Sequence, residues 1–156
     1  TIIVELKNIS PPYSTIDSSA SVIDSLNFTA ELNFKHLNSG KYYIVISHRN
    51  SIETWSRFGG EYLVKGGTFN YNFILDSSQA FGNNLKLIGN KWCIFSGDVN
   101  QDNVINSLDL NLISDYSTIY SSENLITDLN SDGITDIEDL VVCDNNVFRN
   151  ISTIKP

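Results

Sequence analysis

The sequence predicts a mainly β fold with a small α part: an N-terminal antiparallel β-sandwich followed by two loop-then-helix units. Three observations carry this. Short segments alternating apolar and polar residues, punctuated by Asn, Gly and Ser, fill the first ninety-odd residues. After Ser96-Gly97 the pattern changes to two Asp/Asn-rich runs, each followed by apolar residues at helical spacing. Charge divides near the same place: eleven of the 18 acidic residues lie between Trp92 and Phe148, where there is no Lys or Arg, whereas residues 1 to 91 carry seven acids and eight Lys/Arg.

Candidate strands fall near residues 1 to 8, 20 to 24, 27 to 35, 41 to 48, 60 to 65, 69 to 75, 84 to 89 and 91 to 96. The stretches Phe28-Thr29-Ala30-Glu31-Leu32-Asn33-Phe34 and Phe69-Asn70-Tyr71-Asn72-Phe73 have the period of a half-buried strand. Tyr42-Tyr43-Ile44-Val45-Ile46 is a nearly continuous apolar run after the turn Asn38-Ser39-Gly40, and predicts a central strand. Several short strands with such turns indicate a sandwich. Beyond Ser96-Gly97, short helices are expected over residues 108 to 115, with Leu108, Leu112 and Ile113 on one side, and over residues 137 to 147, with Ile137, Leu140 and Val141 on one side. Residues 116 to 127 bridge the two units, and residues 122 to 126 allow at most a turn or two. The expected division is 1–96 for the sandwich and 97–156 for the loop-helix part, with Ser96-Gly97 too short to act as a hinge.

Residues 98 to 109 and 128 to 139 carry one pattern twice. Oxygen-bearing side chains occupy loop positions 1, 3, 5, 9 and 12: Asp98, Asn100, Asp102, Asn106 and Asp109, then Asp128, Asn130, Asp132, Asp136 and Asp139. A hard divalent cation such as Ca²⁺ takes six to eight oxygens at about 2.3–2.6 Å, and a 12-residue loop supplies them at these positions plus a backbone carbonyl at position 7. Val104 and Ile134 would lend those carbonyls. An apolar residue at position 8 turns inward; Ile105 suits this better than Thr135. Position 6 must accept a left-handed turn, which Gly133 does without steric cost and Asn103 does tolerably, making the second loop the less strained. A single Asp/Asn-rich run would read equally well as ordinary turns, whose side chains hydrogen-bond their own backbone. Two runs that agree at five ligand positions point instead to two Ca²⁺ sites. The net charge of −8 fits, since the acid excess lies in the repeats and two Ca²⁺ would offset it.

This composition also excludes. No run of 18 or more apolar residues exists to insert in a membrane. A nucleic-acid partner is disfavoured because no basic stripe is present to meet phosphates. The chain opens directly on strand-like residues, an expectation of a processed product or a piece of something longer. Cys93 and Cys143 could form a disulfide closing about fifty residues, with about 3–4 kcal/mol of stabilisation in the entropy model; equally, both sit in apolar runs and could be buried free thiols.

The duplicated unit, carried by Asp98-Val99-Asn100-x-Asp102 and Asp128-Leu129-Asn130-x-Asp132-Gly133, resembles the dockerin domain over about residues 96 to 156. That resemblance implies a small module held together by its ions, a dockerin-like pair of calcium loop-helix units, and a cohesin-type partner. Dockerins that bind cohesins usually show a Ser/Thr pair at loop positions 10 and 11 and a basic pair on the following helix. Here those positions are Ser107-Leu108 and Ile137-Glu138, and neither helix carries a basic residue. The Gly40-Lys41-Tyr42-Tyr43 strand resembles those of transthyretin-like or carboxypeptidase-regulatory-like sandwiches. The combined stretch of Tyr42 to Ser56 and Ser96 to Asp102 is similar to C-terminal regions of large secreted proteins of Bacteroidetes and Ignavibacteria, which often precede a secretion-sorting tail; the chain stops at Ile154-Lys155-Pro156 without one, which fits an expectation of removal on export. An extracellular or cell-surface location in a bacterium is the expectation.

The densest polar cluster outside the loops is His48-Arg49-Asn50 with Glu53-Thr54-Trp55. Trp55 and Arg49 could contact a sugar or peptide, one as a stacking platform and the other as a hydrogen-bonding fork; otherwise Trp55 packs over the end of the sandwich. No enzyme is expected. His36 and His48 lie near no Gly-x-Ser-x-Gly elbow, the paired carboxylates are explained by the cation, and phosphate loops and dinucleotide fingerprints are absent. The expectation is therefore a secreted, non-catalytic calcium-binding structural or adhesion module. The alternatives are a subunit of an extracellular filament assembling through pairing of strand 1 to 8 or another open edge, and a dockerin recruiting a cohesin-type partner. The partner would be a neighbouring module, an identical subunit or a cohesin; carbohydrate binding is a further option.

Overall fold

In the computed structural model, which describes residues 1–117 and 126–156, the chain is mainly β with two helices, and its sheets are antiparallel. Seven strands come first: β1 Ile2–Asn8, β2 Thr15–Ser21, β3 Gly40–His48, β4 Ser51–Trp55, β5 Glu61–Leu63, β6 Lys86–Ile88 and β7 Lys91–Cys93. Helices α1 Ser107–Ser117 and α2 Ile137–Val147 follow. The expectation of a turn or two at residues 122 to 126 falls largely outside the described residues. Two compact units result. One comprises Thr1–His48, Glu53–Cys93 and Ile154–Pro156; the other comprises Arg49–Ile52 and Ile94–Thr153.

In the first unit, the larger sheet has the order β2-β1-β3-β4, and β5 also pairs with β3. Val4 stands opposite Ile46 and Leu6 opposite Ile44, so the alternation of β1 turns Ile2, Val4 and Leu6 onto one face with Tyr42 and Ile44 of β3. Leu37 and Leu63 complete that core. The opposite face of β3 buries Tyr43 and Val45 against Trp55, with Tyr13 and Phe81 at the margin. A strand buried on both faces has no polar positions to alternate, which is why residues 42–46 read as a continuous apolar run. Each such side chain removed from water contributes about 1.5–3 kcal/mol.

The sandwich expected from the sequence is realised only in part. Residues 27–35 and 69–75 form no strand, although Ala30, Leu32, Phe34, Tyr71 and Phe73 do pack against the β1/β3 core. Their alternation therefore reports which side chains face inward, not a hydrogen-bonded ladder. Strand β2 starts earlier than expected, at Thr15, and β4 was not anticipated, because Ser51-Ile52-Glu53-Thr54-Trp55 mixes polar and apolar residues while four of its five are buried. Strand β1, expected as a possible open edge, lies between β2 and β3, leaving β2 at the end of the order. The β6–β7 hairpin forms a separate two-stranded sheet.

The second unit packs Ile52, Phe95, Val99, Ile105, Ile113 and Cys143 into one core, with Leu110, Leu129, Leu140, Val147 and Ile151 against it. Helix α2 has the expected bounds and α1 is slightly longer than expected. The inward faces differ from expectation. Leu108 and Val141 are 59% and 54% exposed, and Leu112 and Ile137 also face solvent. Helix α1 instead buries Asp109 and Ile113, and α2 buries Asp139, Cys143 and Asn146. The faces rotate because the last residue of each Asp/Asn run, Asp109 or Asp139, turns its carboxylate inward to serve its loop.

Candidate metal centre

The two Asp/Asn-rich runs fold alike in most of their hydrogen bonds, differing at the amide that position 1 takes besides that of position 6. The position-1 carboxylates turn back over their own loops: Asp98 accepts from the Asp102 amide at 3.1 Å and the Asn103 amide at 3.0 Å, while Asp128 accepts from Ser131 at 2.7 Å and Gly133 at 3.1 Å. At position 3, Asn100 and Asn130 each accept from the amide two residues on, at 2.9 Å in both loops, and donate from Nδ2 to the Asp at position 5. Asp102 and Asp132 accept from Val104 and Ile134, again at 2.9 Å. At position 9, Asn106 and Asp136 accept from the amides of Leu108 and Glu138 at 2.7 and 2.8 Å, capping the helix that follows.

Position 12 closes each loop. Asp109 Oδ1 accepts from Val99 and Asn100, and its Oδ2 from Asn106; Asp139 does the same with Leu129, Asn130 and Asp136. The Asp136–Asp139 exchange is a capping box for α2. Backbone geometry repeats as well, with positive φ at positions 4 and 6: Gln101 and Asn103 in the first loop, Ser131 and Gly133 in the second. Such a conformation suits glycine, and a Cβ on Gly133 would meet open space. Gly97, just before the first loop, is held at φ 123, where a Cβ would meet Ile105 Cγ2 at 3.1 Å.

The electrostatics of these loops are unusual for a chain with no cation near by in sequence. Asp98, Asp109, Asp128 and Asp139 are 1%, 0%, 1% and 0% exposed. Among the described residues, none of Asp98, Asp109 and Asp139 forms an ion pair with Lys or Arg, and Asp128 lies 3.9 Å from Arg49 Nη2. Burial pushes the Asp98 carboxyl up to about 6, with the Asn103 amide pulling it down and Asp109 and Asp102 pushing it further up. Asn50 Nδ2 donates to the Asp128 carbonyl at 3.0 Å, anchoring the start of the second loop.

The fit to a divalent cation rests on donor chemistry. Each loop offers side-chain oxygens at positions 1, 3, 5, 9 and 12 and a main-chain carbonyl, from Val104 or Ile134, at position 7. Among the described residues, no group of three or more His, Cys, Asp or Glu gathers as a metal cluster; the carboxylates are turned on backbone donors. Asp109 Oδ1 and Asp139 Oδ1 each accept two amides, while Oδ2 of both, and the oxygens of Asp98, Asp102, Asp132 and Asp136, keep a lone pair beyond those bonds, so the oxygen set is compatible with a hard cation.

The remaining expected site residues separate from these loops. Trp55 is 3% exposed, set edge-on to Tyr13 and Tyr43 with centroids at 5.9 and 5.5 Å, and its Nε1 donates to Glu53 Oε1. It presents no free face for stacking, which corrects the ligand-platform reading; Trp55 is core. Arg49 is turned toward Asp128, its Nη2 donating to the carbonyl at 3.4 Å. Cys93 and Cys143 are free thiols, so the disulfide considered from sequence is not formed. Each is used locally: Cys143, fully buried on α2, lies 3.7 Å from the Gly97 carbonyl, and Cys93 lies 3.8 Å from the Lys91 carbonyl. Burial pushes the Cys143 thiol up to about 12 and raises that of Cys93. The sequence marks Asn50 only as a member of the polar cluster His48-Arg49-Asn50; its bond to Asp128, 78 residues away, leaves no local signal.

No family model matches the sequence, and no curated protein matches it. Among solved structures, the fold is similar to a chain in the crystal structure of a type II cohesin–X-dockerin complex from Acetivibrio cellulolyticus, a C-terminal interface mutant of that complex. The TM-score is 0.53 at 19% identity, over 93% of this chain and 79% of that one. At this identity the likeness concerns the fold alone. Among the described residues, no helix is long and apolar enough to cross a membrane.

Proposed function

We propose that the protein is a secreted, non-catalytic module in which two Ca²⁺ ions, one in each loop, stabilise a dockerin-like part over residues 97–156 joined to a β part over residues 1–96. One observation carries this reading: four carboxylates at loop positions 1 and 12 are buried in one unit, and among the described residues a single Arg lies within ion-pair distance of any of them. Buried charge on this scale is costly without compensation, and a cation of charge +2 in each loop supplies it. The repeated bond pattern gives both loops the same oxygen arrangement. Asp98, Asn100, Asp102, Asn106 and Asp109 would hold one ion with the Val104 carbonyl. Asp128, Asn130, Asp132, Asp136 and Asp139 would hold the other with the Ile134 carbonyl. The ions supply charge and coordination, and the work of the module is structural or adhesive at the cell surface.

The fold likeness to a chain of a cohesin–dockerin complex favours a second reading, recruitment of a cohesin-type protein. Size-exclusion chromatography with light scattering separates the two. The structural reading expects a Ca²⁺-stabilised monomer whose elution is unchanged by a type II cohesin. Co-elution at one-to-one stoichiometry, lost in chelator, would replace it with the recruiting reading.

A further inference from the structure

Position 6 distinguishes the loops. Gly133 takes the left-handed turn freely, but loop 1 puts Asn103 there at φ 69, a conformation that Asn tolerates less well than Gly. The chain leaving α2 returns to this spot. Ile105 donates its amide to the Ile151 carbonyl at 2.9 Å, and Val104 and Ser152 form an isolated antiparallel bridge. Thr153 then grips Asn103 twice, its amide donating to the Asn103 carbonyl and its Oγ1 to Asn103 Oδ1, both at 2.9 Å. All these residues belong to one unit. Positions 6, 7 and 8 of loop 1 are thus held by residues more than forty positions away, outside the 12-residue loop itself.

We infer that Thr153 is a positioning residue for the cation of loop 1: the strap Ile151–Thr153 fixes the left-handed Asn103 and thereby aims the Val104 carbonyl. The inference rests on the calcium reading above and adds its regulation. Because linkage is reciprocal, an ion in loop 1 secures the strap as much as the strap secures the ion. Cleavage or capture of the C-terminal segment would then release the ion from loop 1.

The test is a Ca²⁺ titration of the full chain followed by NMR, with the Asn103 and Gly133 amides reporting loop 1 and loop 2 separately. Thr153→Val removes the hydroxyl donor and is expected to weaken loop 1 by about three- to tenfold, the worth of one hydrogen bond, leaving loop 2 within about twofold. Thr153→Ser restores the affinity. In an Asn103→Gly background, where the grip on Asn103 Oδ1 is gone and the turn is free, Thr153→Val has no further effect. In the unaltered chain, Ca²⁺ slows hydrogen exchange at the Ile105 and Thr153 amides. Loop 1 affinity indifferent to Thr153→Val, equal weakening of both loops, or exchange at these amides unchanged by Ca²⁺ overturns the inference while leaving the calcium reading intact. Absence of ion binding by the unaltered chain overturns both.

Discussion

Asp109 Oδ1 accepts the Val99 amide at 2.9 Å, tying the last residue of the first loop to its second; Asp139 and Leu129 repeat the bond at 2.7 Å. Asp109 is fully buried, and Asp109→Ala takes their side-chain acceptor from the Asn100 and Asn106 amides and leaves Val99 only its 3.1 Å bond to the Gly97 carbonyl. A buried donor without a partner costs about 1–3 kcal/mol, so a loss of roughly 3 kcal/mol is expected in urea denaturation with chelator present. Asp139→Ala should cost a similar amount, since its three bonds are the same. In Ca²⁺ each variant should also lose one site. A loss below about 1 kcal/mol in both variants would show that these bonds are incidental.

Burial of Asp98 makes a pH dependence of stability visible. With its carboxyl raised to about 6 in the folded chain and about 3.9 when unfolded, the unfolded state releases this proton first. The group therefore lowers stability as pH rises from about 4 to 6, and its full cost is present above 6. Asp98→Asn removes that titration. In chelator the variant should gain on the unaltered chain between pH 4 and 7; in millimolar Ca²⁺ at pH 7 it should be the less stable of the two. Parallel pH profiles in chelator would refute the assignment.

Trp55 is core, so Trp55→Ala should cost about 3–5 kcal/mol. In a Trp92→Phe background, which leaves Trp55 as the one tryptophan of the chain, its fluorescence should be indifferent to added oligosaccharides. Quenching or a spectral shift on titration with a glycan would show an exposed ring.

The free thiols give a redox prediction. Reducing agent should leave the melting temperature unchanged. Iodoacetamide at pH 8 should label Cys93 before Cys143, which is fully buried and whose thiol is raised to about 12. A mass two daltons below the reduced chain, with a melting temperature that falls on reduction, would instead reveal a disulfide.

Much of the local structure was legible. The run Tyr42 to Ile46 announced a strand buried on both faces, and the residues after each Asp/Asn run announced α1 and α2. The duplicated spacing marked the side chains that accept in the two loop hydrogen-bond networks, because loop positions are fixed by local chemistry. What was not legible depends on distant packing. Residues 27–35 and 69–75 alternate because their side chains rest on a core, and periodicity does not reveal whether a neighbouring backbone offers a ladder. Leu108 and Ile137 lie outside because Asp109 and Asp139 claim the inward face, a demand that helical periodicity alone does not contain. The inclusion of Arg49–Ile52 in the loop-helix unit, and the grip of Thr153 on Asn103, are contacts about fifty or more residues apart with no local trace.

Calorimetric titration of the chelator-stripped full chain with Ca²⁺, with circular dichroism at each end point, tests the central claim most directly. Two sites per chain are expected, in the range of about 10⁻⁴–10⁻⁶ M typical of extracellular modules and weaker sensors, with helix gained on binding. No binding heat and an unchanged spectrum at millimolar Ca²⁺ would contradict it, and would reduce both loops to Asp/Asn-rich turns that satisfy only their own backbone.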